Sequence, residues 1–189
     1  SLPIFFYPLS AATPGVYTIT NGLYGYTGGE DTYVWSQAGA VGSNFSSTAT
    51  IISDKNATDE RWGFTKYGDL DTLFADNSTV TVTDASFTFY VDTEGEGIAF
   101  HEALSAVDGT MSDDLAWDAN AMATDPMANN FIGAITVNFP VSTVQNWIRT
   151  PEQNFGFWHI ATHPSNGQQL GSFEAVTFSH RPVLNFTIA

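Results

Sequence analysis

Cysteine is absent from the chain, which excludes disulfides and thiolate metal sites. Basic residues are nearly as scarce. Five Lys and Arg stand against twenty Asp and Glu, for a net charge of −15. Such a balance repels phosphate backbones and anionic headgroups, so neither nucleic acid nor an acidic membrane surface is an expected partner. No apolar run approaches the ~20 residues needed to cross a bilayer as a helix. Long stretches of helical period are missing too, as are a Gly-x-Ser-x-Gly elbow and a phosphate-cradling glycine loop. Charged residues make up only 13% of the chain. Its polar character therefore rests on Thr, Ser, Asn, Gln and Gly, which suits contact with sugars or with copies of itself.

Hydrophobic residues are 43% and aromatics 14% of 189 residues, enough to fill the core of one domain. The pattern is alternating and rich in β-branched and aromatic residues. Strands are expected at 16–20, 32–35, 48–53, 61–67, 80–91, 98–103, 133–139, 155–161 and 183–188. Residues 92–97 read as the turn of a hairpin joining two of them. Residues 108–130 read as a long loop carrying Trp117. A short helix is expected over 142–149, with Ser142 as cap and Val144, Trp147 and Ile148 on one face, ended by Pro151. These features predict an all-β fold: a two-sheet β-sandwich of jelly-roll type with one short helix.

Several segments, in order, carry a family resemblance. They are Asp31-Thr32-Tyr33-Val34, Tyr67-Gly68-Asp69-Leu70, Ala85-Ser86-Phe87 within 82–91, and Trp117. They continue with 141–148, Asn154-Phe155-Gly156-Phe157, Phe173-Glu174 and Arg181-Pro182-Val183-Leu184. Together they resemble the DNRLRE domain family and the related alginate-binding carbohydrate modules. The resemblance implies an exported jelly-roll module over residues 30–189. Residues 1–29 lie outside it as an apolar extension, read as an edge strand of the chain's own sheet or as a donor strand for a neighbour. Leu2, Ile4, Phe5, Phe6, Tyr7 and Leu9 would be the self-associating residues. The departures are Ser43-Asn44-Phe45 where the family has Asn-Tyr-Gly, Tyr67-Gly68 where it has Phe, and a weakly matching segment around Glu174.

Carboxylates recur at alternate positions in turns, a spacing that lets two or three converge on one calcium ion. The expected calcium ligands are Asp31, Asp69, Asp71, Asp92, Glu94 and Glu96. Carbohydrate would be met by the aromatic faces of Trp35, Trp62, Tyr67 and Trp158. Asn44, Asn56, Asn77 and Asn185 stand in glycosylation sequons. His159 and His163 are spaced to share a strand face, without an evident third metal ligand.

These readings converge on a non-enzymatic structural subunit, extracellular or at the cell surface, exported after removal of a leader. It would associate with its own copies or with other surface proteins, with calcium as cofactor. A carbohydrate-binding module for polysaccharide is the alternative. A polysaccharide lyase or hydrolase ranks third, because basic residues to neutralise uronic acids are so few.

Overall fold

The structure is a computed structural model that describes residues 13–36, 45–55, 59–95, 97–107, 116–126, 131–163 and 167–189. The described residues are rich in β-structure, with one α-helix among them. The strands are β1 (Gly15–Ile19), β2 (Gly29–Trp35), β3 (Thr50–Lys55), β4 (Glu60–Tyr67), β5 (Val82–Thr93) and β6 (Ile98–Glu102). They continue with β7 (Ala123–Thr124), β8 (Gly133–Asn138), β9 (Phe157–Ala161), β10 (Gln168–Gly171) and β11 (Val183–Ile188), and the helix α1 (Val141–Arg149) lies between β8 and β9. Among the described residues no helix is long and apolar enough to cross a membrane.

All strand pairings are antiparallel. They run β1-β11-β5-β10-β3-β4-β9-β6-β7, with β8 on β5 and β2 on β4. The sheet curls until β5 faces β6 and β9. The ring of Phe87 on β5 lies 5.4 Å from that of Phe100 on β6 and 5.0 Å from that of Phe157 on β9. The hairpin expected at 92–97 is therefore corrected. β5 pairs with β8, β10 and β11, whereas β6 pairs with β7 and β9. Both strands carry large inner aromatics. Stacking those aromatics face to face buries more apolar surface than laying the strands side by side.

Alternation along β5 puts Ala85, Phe87, Phe89 and Val91 in the core, with intermediate residues between them. Helix α1 closes one end. Its buried Val144, Trp147 and Ile148 face inward, and Trp147 stacks on Phe157 at 5.9 Å. The cap position is Pro140, whose carbonyl accepts from the Thr143 and Val144 amides. Ser142, expected as the cap, is exposed in the first turn and makes no cap bond.

The loop after β6 is not structureless. Trp117 bridges Ala103, and β7 pairs with β6. This segment lies over a second aromatic cluster on the outer face of β4 and β9. That cluster holds Val34, Phe64, Ala103 and Trp158, with Trp62 and Trp117 at its margin.

Entry into β9 depends on Asn154 and Gly156. The buried Asn154 amide donates to the Tyr67 carbonyl at 2.7 Å. Gly156 has φ 83°, and a Cβ there would lie 2.6 Å from the Thr65 carbonyl oxygen. Replacing Gly156 with Ala combines a left-handed backbone with a backbone clash. We expect a loss of about 2 kcal/mol, measurable as a lowered midpoint in urea unfolding.

Candidate functional site

The most concentrated polar chemistry in the interior lies between β2 and β4. Their register sets Asp31 opposite Thr65 and Gly29 opposite Tyr67. Residues paired across antiparallel strands share a face. Here it is the inner one, because Tyr67 belongs to the main core and its ring meets Phe87 at 6.5 Å and Phe173 at 5.3 Å. An acid is thus folded into an aromatic core, with Asp31 only 5% exposed.

Asp31 is held from the loop after β10. Its Oδ2 accepts the Phe173 amide at 2.5 Å. Glu174, the next residue after Phe173, adds a second negative charge to the surroundings of Asp31. The Glu174 amide is pinned by Ser172 Oγ at 3.0 Å, and that hydroxyl donates to the Thr48 carbonyl. Asp31 Oδ1, Thr65 Oγ1 and Tyr67 Oη are buried and have no hydrogen-bond partner. Burial pushes the Asp31 carboxyl up to about 8; the Phe173 amide pulls it down and the Glu174 charge adds to the rise. Burial likewise raises the Tyr67 phenol, reinforced by Tyr26 and Asp31.

The other acids expected to bind calcium lie apart. Asp69 is exposed at φ 54°, ahead of the single turn Leu70–Leu73 that contains Asp71. It lines a shallow cavity of about 270 Å³ with Tyr24, Tyr26 and Leu73, and Asp71 does not. Asp92 Oδ1 meets His180 Nδ1 at 2.7 Å, and the His180 ring stacks on Tyr90. Glu94 is exposed, and Glu96 lies outside the described residues. Among the described residues no three His, Asp or Glu side chains converge. Alternate acids share a strand face, but these occupy strand ends and turns, where that periodicity lapses.

The expected sugar platforms fare unevenly. Tyr67 and Trp158 are both 0% exposed, so neither offers a face to solvent. This corrects their assignment, since each lies on a strand surface that other side chains cover. Trp35 is half-buried; its Nε1 donates to Asp59 Oδ1, and the Arg61 guanidinium lies 4.3 Å over its ring. Trp62 is half-buried, edge-on to Trp117 at 5.1 Å and to Trp158 at 6.5 Å.

Of the sequons, Asn77 donates its amide to the Ile148 carbonyl at 2.8 Å. The nitrogen a glycan needs is thereby engaged at the end of α1, which argues against that site. Asn185 Oδ1 accepts from the Thr18 hydroxyl. Asn44, Asn56 and the self-association residues Leu2, Ile4, Phe5, Phe6, Tyr7 and Leu9 lie outside the described residues.

His159 and His163 do not form a pair. His159 is buried on β9 among Phe87, Phe100 and Phe157, whereas His163 is exposed beyond the strand end. Neither ring nitrogen of His159 has a hydrogen-bond partner. Burial pulls its pKa down to about 3.

Sequence reasoning placed Asp31 among the calcium ligands but missed Thr65, Tyr67 and Glu174 as its neighbours. One signal was available. Asp31, Tyr33 and Trp35 alternate, so an acid runs in phase with large aromatics. Comparison with family models and with curated proteins gives no match for this chain.

Proposed function

We propose that this chain is a non-enzymatic structural subunit of a cell surface or extracellular matrix, self-associating by strand addition and stabilised by calcium. The observation that carries the reading is a groove between two sheet edges. Among the described residues β8 pairs only with β5, and β7 only with β6. Ala123, Thr124 and Pro126 on one side and Thr136, Val137 and Asn138 on the other line a groove of about 310 Å³ between them. Ile132, 57% exposed, stands at the other end of β8, next to Gly133. An open strand edge is a template for another chain's strand. The segment holding Leu2, Ile4, Phe5, Phe6, Tyr7 and Leu9 is the candidate donor, and it would pair with the edge through its backbone.

The finer fold reading is a two-sheet jelly roll of the DNRLRE type. The facing limbs of the curled sheet, the helix over 141–149 and the Asn154–Gly156 entry into β9 support it. Export to the cell exterior follows from the same resemblance.

The test is light scattering and negative-stain microscopy of the full chain and of a version lacking residues 1–10. We expect filaments or arrays from the first and monomers from the second. A free peptide of residues 1–12 should inhibit assembly of the full chain. Equal assembly with and without residues 1–10 would refute strand donation. The alternative, a carbohydrate-binding module, draws on the half-buried edge of Trp62 beside Trp117. It predicts dispersed monomers that are retained on a polysaccharide column and released by Trp62→Ala.

A further inference from the structure

We propose that Asp31 and Glu174, together with Thr65 Oγ1 and Tyr67 Oη, form a binding site for a calcium ion. The proposal deepens the calcium element of the function above and rests on it. The strand-addition element is read out separately, by assembly, so either can fail alone.

Asp31 is buried, and the residue that follows its amide partner Phe173 is a second acid, Glu174. The ion pairs Arg61–Asp59, Lys66–Glu30 and His180–Asp92 include neither Asp31 nor Glu174. Arg181, seven residues after Glu174, spends its Nε on the Ala175 carbonyl and a terminal nitrogen on the Asn21 carbonyl. No basic side chain therefore offsets the Asp31 charge, which leaves a proton or an external cation to do so. A buried ionised carboxyl left beside another, unneutralised, is strongly disfavoured.

The second observation is independent of the acids. Thr65 and Tyr67 are both 0% exposed, their hydroxyl oxygens have no partner, and both project from the face that carries Asp31. Tyr67 is also electrostatically linked to Asp31. A single shared proton would join the two carboxyls but leave both hydroxyl oxygens unmet. A metal ion takes lone pairs from carboxylate and hydroxyl oxygens alike.

Every donor is oxygen, which selects a hard cation over zinc or copper. Two carboxylates favour a divalent ion over sodium. One ligand lies on a strand inside the core and another on an exposed turn. That unequal set suits calcium, which accepts six to eight oxygens in variable geometry, better than magnesium with its strict octahedron. Glu174 is exposed, so it gives the ion a route in, and water can complete the shell from its side.

The test uses the full chain stripped with EDTA, titrated by calorimetry with calcium chloride and separately with magnesium chloride, and followed by thermal unfolding. We expect one tight calcium site and a rise in Tm of about 5 °C or more at saturation. Glu174→Gln should weaken calcium binding by about tenfold or more. That side chain is exposed, so the variant should fold. Asp31→Asn should abolish the site. No calcium-dependent shift, or an unchanged calcium affinity in Glu174→Gln, overturns the proposal. So does a magnesium response equal to that of calcium.

Discussion

Replacing His159 with leucine should stabilise the protein by an amount that grows as the solution becomes more acidic. The imidazole is enclosed by Phe87, Phe100 and Phe157 at 6.2, 5.2 and 5.3 Å between ring centroids. Gly63 pairs with it across β4, and Ser53 donates to its carbonyl oxygen rather than to its ring. With no partner for either nitrogen, the ring stays neutral in the fold, and its pKa is depressed from 6.5 to about 3 by burial. The unfolded chain takes up a proton below pH 6.5, whereas the folded chain does so only near 3. This group's contribution is thus complete above pH 6.5 and is lost as pH falls toward 3. The loss amounts to roughly 1.4 kcal/mol for each pH unit. Urea unfolding of both proteins at intervals from pH 7 to 4 measures the difference, in which shared contributions cancel. Near neutrality the variant should already gain about 1 kcal/mol, because two unpaired polar atoms leave the core. Parallel pH curves for the two proteins would mean that His159 finds a partner in solution.

Asp31→Asn should do the opposite, stabilising the protein increasingly as pH rises. Burial and Glu174 raise the Asp31 carboxyl from 3.8 to about 8 in the fold. The folded chain therefore holds a proton that the unfolded chain releases above pH 4. The stability tied to that proton is complete below the unfolded value and is lost as pH climbs through about 8. Asparagine keeps the geometry: its oxygen can accept the Phe173 amide and its nitrogen can donate to Glu174. In EDTA, the gain of Asp31→Asn over wild type should widen by up to about 1.4 kcal/mol per pH unit between pH 4 and 8. A gain that does not change with pH would show that the acid is already ionised in the fold.

The two groups pull against each other. Between pH 8 and 6.5 only Asp31 titrates differentially, so wild-type stability should rise on acidification. Between 6.5 and 4 the gain at Asp31 offsets the loss at His159, and the curve should flatten.

Much of the secondary structure was legible because it follows local rules. The Ala85-Ser86-Phe87-Thr88-Phe89 alternation marks β5, and Val144, Trp147 and Ile148 mark one face of α1. By contrast, β10, Gln-Gln-Leu-Gly, carries neither β-branched residues nor clear alternation. Yet it pairs with both β5 and β3 and joins the two limbs of the sheet. β7 is two residues long and exists through its pairing with β6. Neither could be read from its own residues.

The candidate site divides in the same way. Asp31 was read as a turn carboxylate for calcium, and its phase with Tyr33 and Trp35, which points it inward, went unused. Glu174 is 143 residues away along the chain, and its approach depends on where the loop after β10 lands. The burial of Tyr67 and Trp158 was equally hidden, because an aromatic on a strand looks the same whether or not another layer covers it.

By itself the sequence determined the class of structure, the charge of the surface and the order of most strands, because residue type and spacing act over a few neighbours. The tertiary structure alone decided which strands pair, which aromatics are covered and which oxygens gather around Asp31. Those outcomes depend on contacts between distant segments, formed when a curled sheet closes over its own inner face.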